Sequence, residues 1–304
     1  MDSPLTIESL EKRTYEGSDI IIEKTLDTRE NYQRFITSYI SEGFKVYGLL
    51  TIPTTPRPPE GFPAILFNHG YIPPHKYRTL ERYGSYVDRL AKNGYIVWKI
   101  DYRGHDQSEG EAIPAYFSPN HAIDILEALA SLRNHPSVNP NKIGMWGHSM
   151  GGHLIVSAMV VRPDEIKAGV IYGGLTGTYD EVFDTWYHLP RPDGGETQIE
   201  YDSLRKAADP LIEKYGSPTQ DSPFWKAITP TNFLEKLSAP IQLHHGTADI
   251  SVSYKFSEDL ARRLKENNKE TELYLYPGGD HDIAGIHFRS AMARTVKFFN
   301  RYLK

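Results

Sequence analysis

Apolar and β-branched residues crowd the first 60 positions in three short runs, and after Pro63 they recur as brief apolar stretches separated by helical patterns. Ile20-Ile21-Ile22 opens the first run, Tyr32 to Ile40 forms the second and Phe44 to Leu50 the third. Their β-branched and aromatic content and close spacing predict an antiparallel meander of strands. Pro53, Pro56, Pro58, Pro59 and Pro63 then reset the chain. Beyond them the pattern predicts strands at Ala64–Phe67, Tyr95–Ile100, Lys142–Trp146, Ala168–Tyr172, Ile241–His244 and Glu272–Tyr276. Helices are predicted near 78–93, over 120–134 with Ser118-Pro119 as cap and first-turn pair, from Met150, near 254–267, and around 288–303. In the last of these Met292, Val296, Phe299 and Leu303 share one face. Continuous apolar strands divided by helices imply a mostly parallel sheet covered on both faces, with its site beyond the carboxyl ends of the strands.

One segment departs from this rhythm. Between the strands ending at Tyr172 and beginning at Ile241, residues 175–239 are cut into short pieces by Pro190, Pro192, Gly194-Gly195 and Ser217-Pro218. A connection of that length is usually functional, often a lid. The organisation expected is therefore a core of residues 1–174 and 240–304 with a cap inserted at 175–239.

Composition narrows the function. The 304 residues are 39% hydrophobic and 12% aromatic, which excludes disorder as the main state. A net charge of −5 offers no basic field for a nucleic acid backbone. The longest apolar stretch, Leu154 to Val161, is far short of the ~20 residues a membrane span needs. The start MDSPLTIESLEKR lacks the basic and apolar regions of a secretory signal, and the absence of cysteine removes disulfides, thiolate metal sites and a cysteine nucleophile. These features are compatible with a cytoplasmic location.

The chemistry centres on Gly147-His148-Ser149-Met150-Gly151, a G-x-S-x-G directly after a buried strand and before an apolar helix. A nucleophile at so sharp a turn has strained backbone angles, and side chains two residues to either side would collide; Gly147 and Gly151 remove them. The turn raises the Ser149 hydroxyl above the sheet and aims the Met150 N–H at developing negative charge. Serine needs a base, and the base an orienting carboxylate, in the chain order Ser, acid, His for this type of turn. Asp249 follows the strand at 241–244, and His281 sits in the glycine-rich loop after the strand at 272–276. Asn68-His69-Gly70-Tyr71, after the strand at 64–67, is placed to supply the second oxyanion amide from Tyr71.

Other candidates have blander uses. His244 and His245 precede the acid and suit packing or a backbone hydrogen bond; His287 opens the last helix; Asp280 and Asp282 suit shaping the loop of His281. His148 can line the pocket but, as the neighbour of Ser149, cannot take its proton. His69 suits holding its loop, and Arg103, in the polar turn 101–110, suits pairing with a carboxylate. Phe183, Trp186, Tyr187, Phe224 and Trp225 are candidate walls of an acyl pocket under the cap, although Phe183, Trp186 and Tyr187 share a helical face, which more often means packing onto the body than ligand contact. As walls they would limit the pocket to acyl groups of about two to six carbons, each further methylene counting for ~0.8 kcal/mol.

Taken together, Asn68-His69-Gly70-Tyr71, Asp101-Tyr102-Arg103-Gly104, Gly147 to Gly152, His245-Gly246-Thr247-Ala248-Asp249 and Gly279-Asp280-His281 resemble an α/β-hydrolase of the group shared by bacterial carboxylesterases and the catalytic domains of prolyl-oligopeptidase-type peptidases. The resemblance runs from about Phe44 to Tyr302. It implies the α/β-hydrolase fold, the triad Ser149, Asp249 and His281, and oxyanion amides at Tyr71 and Met150. Two departures stand out. Asp106 replaces the second glycine of the usual D-x-R-G-x-G-x-S rim loop, and no propeller domain precedes the first oxyanion strand. The expected activity is that of a serine carboxylesterase on short-chain acyl esters, through an acyl-enzyme, with neither cofactor nor metal. The alternative is a serine peptidase or acylaminoacyl hydrolase. A small acyl ester is the expected partner, rather than nucleic acid or membrane.

Overall fold

A computed structural model describes residues 3–184 and 206–304. Its strands are β1 (Ile21–Thr28), β2 (Tyr32–Ser41), β3 (Phe44–Pro53), β4 (Phe62–Asn68), β5 (Ile96–Ile100), β6 (Val138–His148), β7 (Ala168–Tyr172), β8 (Ile241–Gly246) and β9 (Thr271–Tyr276). They form one sheet in the order β1-β2-β3-β5-β4-β6-β7-β8-β9. The N-terminal meander pairs antiparallel and joins β5 antiparallel, whereas β5, β4, β6, β7, β8 and β9 run parallel. Every residue of β4 and β5 is buried, as continuous apolar runs between two helical layers require.

The helices divide by face. Around α1 (Ile7–Lys12), α2 (Gly84–Lys92), α3 (Asn120–Asn134), α4 (Met150–Val161), α5 (Tyr179–Val182), α6 (Asp209–Tyr215), α7 (Pro223–Ile228), α8 (Lys255–Glu266) and α9 (Phe288–Leu303) two hydrophobic layers form. One joins α3, α4 and α8 to the sheet; the other joins α2 and α9. All twelve residues of α4 are buried, so the helix after Ser149 is a fixed part of the core. Among the described residues no helix is long and apolar enough to cross a membrane.

Two local readings change. The helix expected near 78–93 begins only at Gly84, because Arg82 and Tyr83 both adopt left-handed backbone (φ 57° and 55°) that no right-handed helix accommodates. The short α1 falls where only strands were expected; six residues are too few for a periodic signal, although Thr6 caps it by accepting from Ser9 N–H at 3.1 Å. At α3 the Ser118 hydroxyl accepts the Asn120 N–H at 3.2 Å, but the N-cap is Pro119, one residue later than expected.

Candidate active site

The end of β6 lies beside the end of β4, with Gly147 paired to Asn68. This register sets the elbow against the 68–71 turn. A Cβ on Gly151 would stand 2.2 Å from the Asn68 carbonyl oxygen, and one on Gly147 2.5 Å from the Gly151 carbonyl oxygen, so both positions exclude a side chain. Ser149 sits at φ 54° and ψ −117°, outside the ordinary wells, and α4 starts at the next residue. The Met150 N–H therefore lies in the first turn of a buried helix, where partial positive charge gathers.

Asp249 follows β8 and His281 follows β9. The loops meet: His281 Nδ1 donates to Asp249 Oδ2 at 2.6 Å. The other carboxylate oxygen, Oδ1, accepts the backbone N–H groups of Ser251 and Val252 at 2.8 and 2.9 Å. A further partner of Oδ2 is His245 Nε2, at 3.1 Å. That nitrogen also lies 3.0 Å from the Val252 carbonyl. Both neighbours of Nε2 only accept, so Nε2 carries the proton, and Nδ1 accepts the Ser257 hydroxyl at 2.7 Å. Burial opposes the charged form of Asp249, but the bonds from His245 and His281 and the Val252 amide outweigh it and hold the carboxyl well below the usual range.

The sequence reading missed His245 as a partner of the acid. The signal available was its position four residues before Asp249 across a tight turn. His244 instead bonds the Tyr276 hydroxyl and the Gln242 amide oxygen, and His287 bonds the Pro277 carbonyl. His69 is fully buried, with Nδ1 2.7 Å from the Gly70 carbonyl. Arg103 pairs with Asp124 and Glu42. Asp280 accepts the Ala284 N–H, a loop-shaping bond. Asp106 itself takes the left-handed conformation of the missing glycine (φ 50°), and its carboxylate accepts the Thr79 N–H at 3.0 Å and lies 2.9 Å from the Thr79 hydroxyl oxygen, whose proton goes to Asp101.

Ser149 and His281 open onto a cavity of about 500 Å³ that Gly70, Tyr71 and His148 also line. Tyr83, Tyr86 and Phe288 form its aromatic wall, and Arg82 and Asp282 stand on it with opposite charges. Phe183, Phe224 and Trp225, expected as pocket walls, do not line this cavity. They are buried in the layer of α3 and α4: Trp225 packs on Tyr179 and Phe183 at 5.2 and 5.8 Å between ring centroids, and Phe224 stacks on Tyr215 at 3.6 Å. Trp186 and Tyr187 lie outside the described residues. Among the described residues no three His, Asp or Glu side chains converge as metal ligands would.

This sheet, with a strained serine at a strand–helix elbow, is that of a serine hydrolase of the α/β-hydrolase fold. Within that class the chain belongs to the prolyl oligopeptidase family, whose profile matches residues 82–304. It is 27% identical over 255 residues to "Uncharacterized peptidase YtmA" of Bacillus subtilis (strain 168), covering 83% of this chain and 87% of that one. Among solved structures it is similar to acetyl xylan esterase from Paenibacillus sp. R4 (TM-score 0.71, 16% identity, 98% of this chain and 92% of that one). It is also similar to Pyrococcus horikoshii acylaminoacyl peptidase (TM-score 0.68, 20% identity), covering 90% of this chain but only 42% of that one.

Proposed function

We propose that the protein is a serine carboxylesterase acting on short-chain acyl esters. The observation that carries this reading is the 2.6 Å bond from His281 to Asp249 on a ring that shares a small-molecule-sized cavity with Ser149. Ser149 Oγ attacks the acyl carbonyl carbon while its proton passes to His281 Nε2. Asp249 fixes the tautomer by taking the Nδ1–H and stabilises the imidazolium. The carbonyl electron pair moves to the oxygen, facing the amides of Tyr71 and Met150. Collapse breaks the ester C–O bond, and His281 returns the proton to the departing alkoxide. Water then attacks the acyl-enzyme, giving its proton to His281, and the acid leaves as Ser149 regains its hydrogen. On this reading residues 1–174 and 240–304 are the catalytic body and 175–239 an inserted cap, and the partner is a small acyl ester rather than nucleic acid or membrane.

The second reading is a peptidase or acylaminoacyl hydrolase. It is favoured by the family and by Arg82 and Asp282, which put one charge of each sign on the cavity wall. Rates on p-nitrophenyl esters from acetyl to decanoyl, beside aminoacyl and acylated-peptide amides, separate the two. The esterase reading expects kcat/KM to peak at acyl groups of about two to six carbons and amides to lag by at least a hundredfold. Amides equal to or faster than the acetyl ester would replace it with the peptidase.

A further inference from the structure

The two loops that must cooperate at Ser149 leave the sheet from distant strands. The oxyanion turn follows β4 and the base loop follows β9, with β6, β7 and β8 between them. A line of hydrogen bonds crosses that gap. Gly70 N–H donates to the Tyr83 hydroxyl oxygen at 3.0 Å. The same oxygen lies 2.8 Å from His148 Nδ1, and His148 Nε2 lies 3.1 Å from the carbonyl oxygen of His281. The proton positions follow from the end groups. A carbonyl only accepts, so Nε2 of His148 carries the hydrogen. Burial, then the neighbouring His281, push the His148 imidazole down to about 3, so the ring is neutral and Nδ1 is an acceptor. Tyr83 therefore donates to His148 while accepting from Gly70, and each bond in the line has one donor and one acceptor.

We propose that Tyr83 and His148 are positioning residues, a bridge that fixes the oxyanion turn and the loop of the base relative to each other across Ser149. Three further observations support it. His148 is the last residue of β6, 4% exposed and adjacent to Ser149, so its ring is anchored to the nucleophile's own strand. A Cβ on Gly70 would lie 3.0 Å from His148 Nδ1, 3.1 Å from the Tyr83 oxygen and 3.1 Å from Ser149 Cβ, so glycine is what lets the bridge pass this close. Tyr83 is held in left-handed backbone directly after Arg82, also left-handed, with its ring set edge-on to Phe67 at 5.6 Å and to Trp146 at 6.1 Å. Two consecutive strained residues are maintained where the tyrosine hydroxyl meets the turn. Asp282 Oδ1, at 3.6 Å from His148 Nε2, favours the same proton position. A parallel tie, from the Tyr86 hydroxyl to the Asp282 carbonyl, joins α2 to the base loop but does not reach Gly70.

The inference rests on the reading of Ser149 as nucleophile and of the 70–71 turn as oxyanion donor. Its test is chosen to be independent of the acyl donor. Ser149 Oγ attacks the phosphorus of a fluorophosphonate with loss of fluoride, so the labelling rate reports the serine, its base and the donors to the phosphoryl oxygen without an acyl group. That rate, with kcat and KM on p-nitrophenyl acetate, is compared for wild type, Tyr83→Phe, His148→Leu, His148→Gln and the Tyr83→Phe/His148→Leu double variant. The bridge predicts that Tyr83→Phe and His148→Leu each slow labelling and kcat by about 10- to 100-fold, with KM within about threefold, because misplacement of reacting groups acts on the chemical step. His148→Gln puts an amide N–H near Nε2 and an oxygen near Nδ1, and it should recover labelling to within about threefold of wild type. The double variant should be no slower than the slower single, as members of one unit behave. Single variants within twofold of wild type, or a double variant slowed by the product of the two single effects, would overturn the bridge. Should His148→Leu fail to fold, Tyr83→Phe decides by the same twofold criterion, since it removes one oxygen and keeps the ring. Wild type unreactive to the probe would sink the nucleophile reading and the bridge with it. Wild type labelled but silent on esters would sink only the ester reading.

Discussion

Two buried carboxylates, Asp249 and Asp101, are driven in opposite directions by the same fold. Asp249 accepts from His281, His245 and two backbone N–H groups, and its carboxyl is held well below the ordinary range. Asp101, at the end of β5, accepts from the hydroxyls of Tyr77 and Thr79, and burial pushes it up to about 6 despite nearby Lys99, itself pushed down to about 8. The histidines around the two differ likewise. Those at Asp249 turn ring nitrogens on the acid, whereas behind the 68–71 turn His69 stacks on Tyr77 at 4.4 Å and His121 on Tyr102 at 4.8 Å. Neither ring nitrogen of His121 meets a hydrogen-bond partner among the described residues. Burial pushes both carboxyls up; the donors at Asp249 more than offset it, and those at Asp101 do not. One cluster is built to keep an anion, the other to keep polar rings neutral.

The largest test of that contrast is substitution of the acids. Asp249→Asn should lower kcat by about 10⁴-fold with the fold retained, since the ring of His281 loses the anion that sets its tautomer. Asp101→Asn should leave kcat within about threefold of wild type. Comparable losses in the two variants would erase the distinction. Next comes a single donor: His245→Leu removes a hydrogen bond to a buried charge, and chemical denaturation at pH 7.5 should show a loss of about 1.5–3 kcal/mol. A loss below ~0.5 kcal/mol would mean that the remaining donors already satisfy the anion.

Acid titration probes the neutral cluster. Burial lowers His69, His105 and His121, the second to about 4, so each takes up a proton chiefly on unfolding. Their contribution is present above the free histidine value of ~6.5 and is lost as the pH falls from there towards the folded values, at ~1.4 kcal/mol per pH unit for each ring. Asp101 acts with the opposite sign: its raised folded value makes its contribution greatest below the unfolded carboxylate value of ~3.9 and lost as pH rises through about 6. Asp249, depressed, contributes above ~3.9 and loses that contribution only as pH falls further. His121→Phe should therefore flatten the slope of unfolding free energy between pH 6.5 and 5 by ~1.4 kcal/mol per pH unit. An unchanged slope would show that His121 does not titrate on unfolding. The smallest effect is the same variant at pH 7.5, where kcat should stay within twofold and stability within ~1 kcal/mol, because a stacked ring replaces a stacked ring and no protein hydrogen bond is lost.

The sheet was largely legible before any coordinates, because its apolar runs are local: α3 and α9 begin and end where their patterns do, and β7 coincides with Ala168–Tyr172. The candidate triad was legible as an order of residues after strands; the structure bonds His281 to Asp249 and sets His281 on the cavity that Ser149 lines. What could not be read was non-local. Tyr83 looked like part of a helix because nothing in Leu80-Glu81-Arg82-Tyr83 marks left-handed backbone, which glycine would have announced. Its partner His148 is 65 positions away. The cavity wall of Tyr83, Tyr86 and Phe288 draws on the N-terminal ends of α2 and α9, which meet only when the sheet is assembled. For the aromatics of the inserted segment the sequence left two uses open, and Phe183 and Trp225 take the packing one.

The backbone of Ser149 carries a consequence for how such a protein drifts. A residue kept at φ 54°, ψ −117° is retained against a cost of order 1–3 kcal/mol, which glycine at the same position would largely relieve. Selection for thermal robustness alone, with no requirement for turnover, should then discard the serine early, and a lineage that lost its substrate would be expected to harden as it fell silent. Persistence of serine at this elbow is in that sense a record of use.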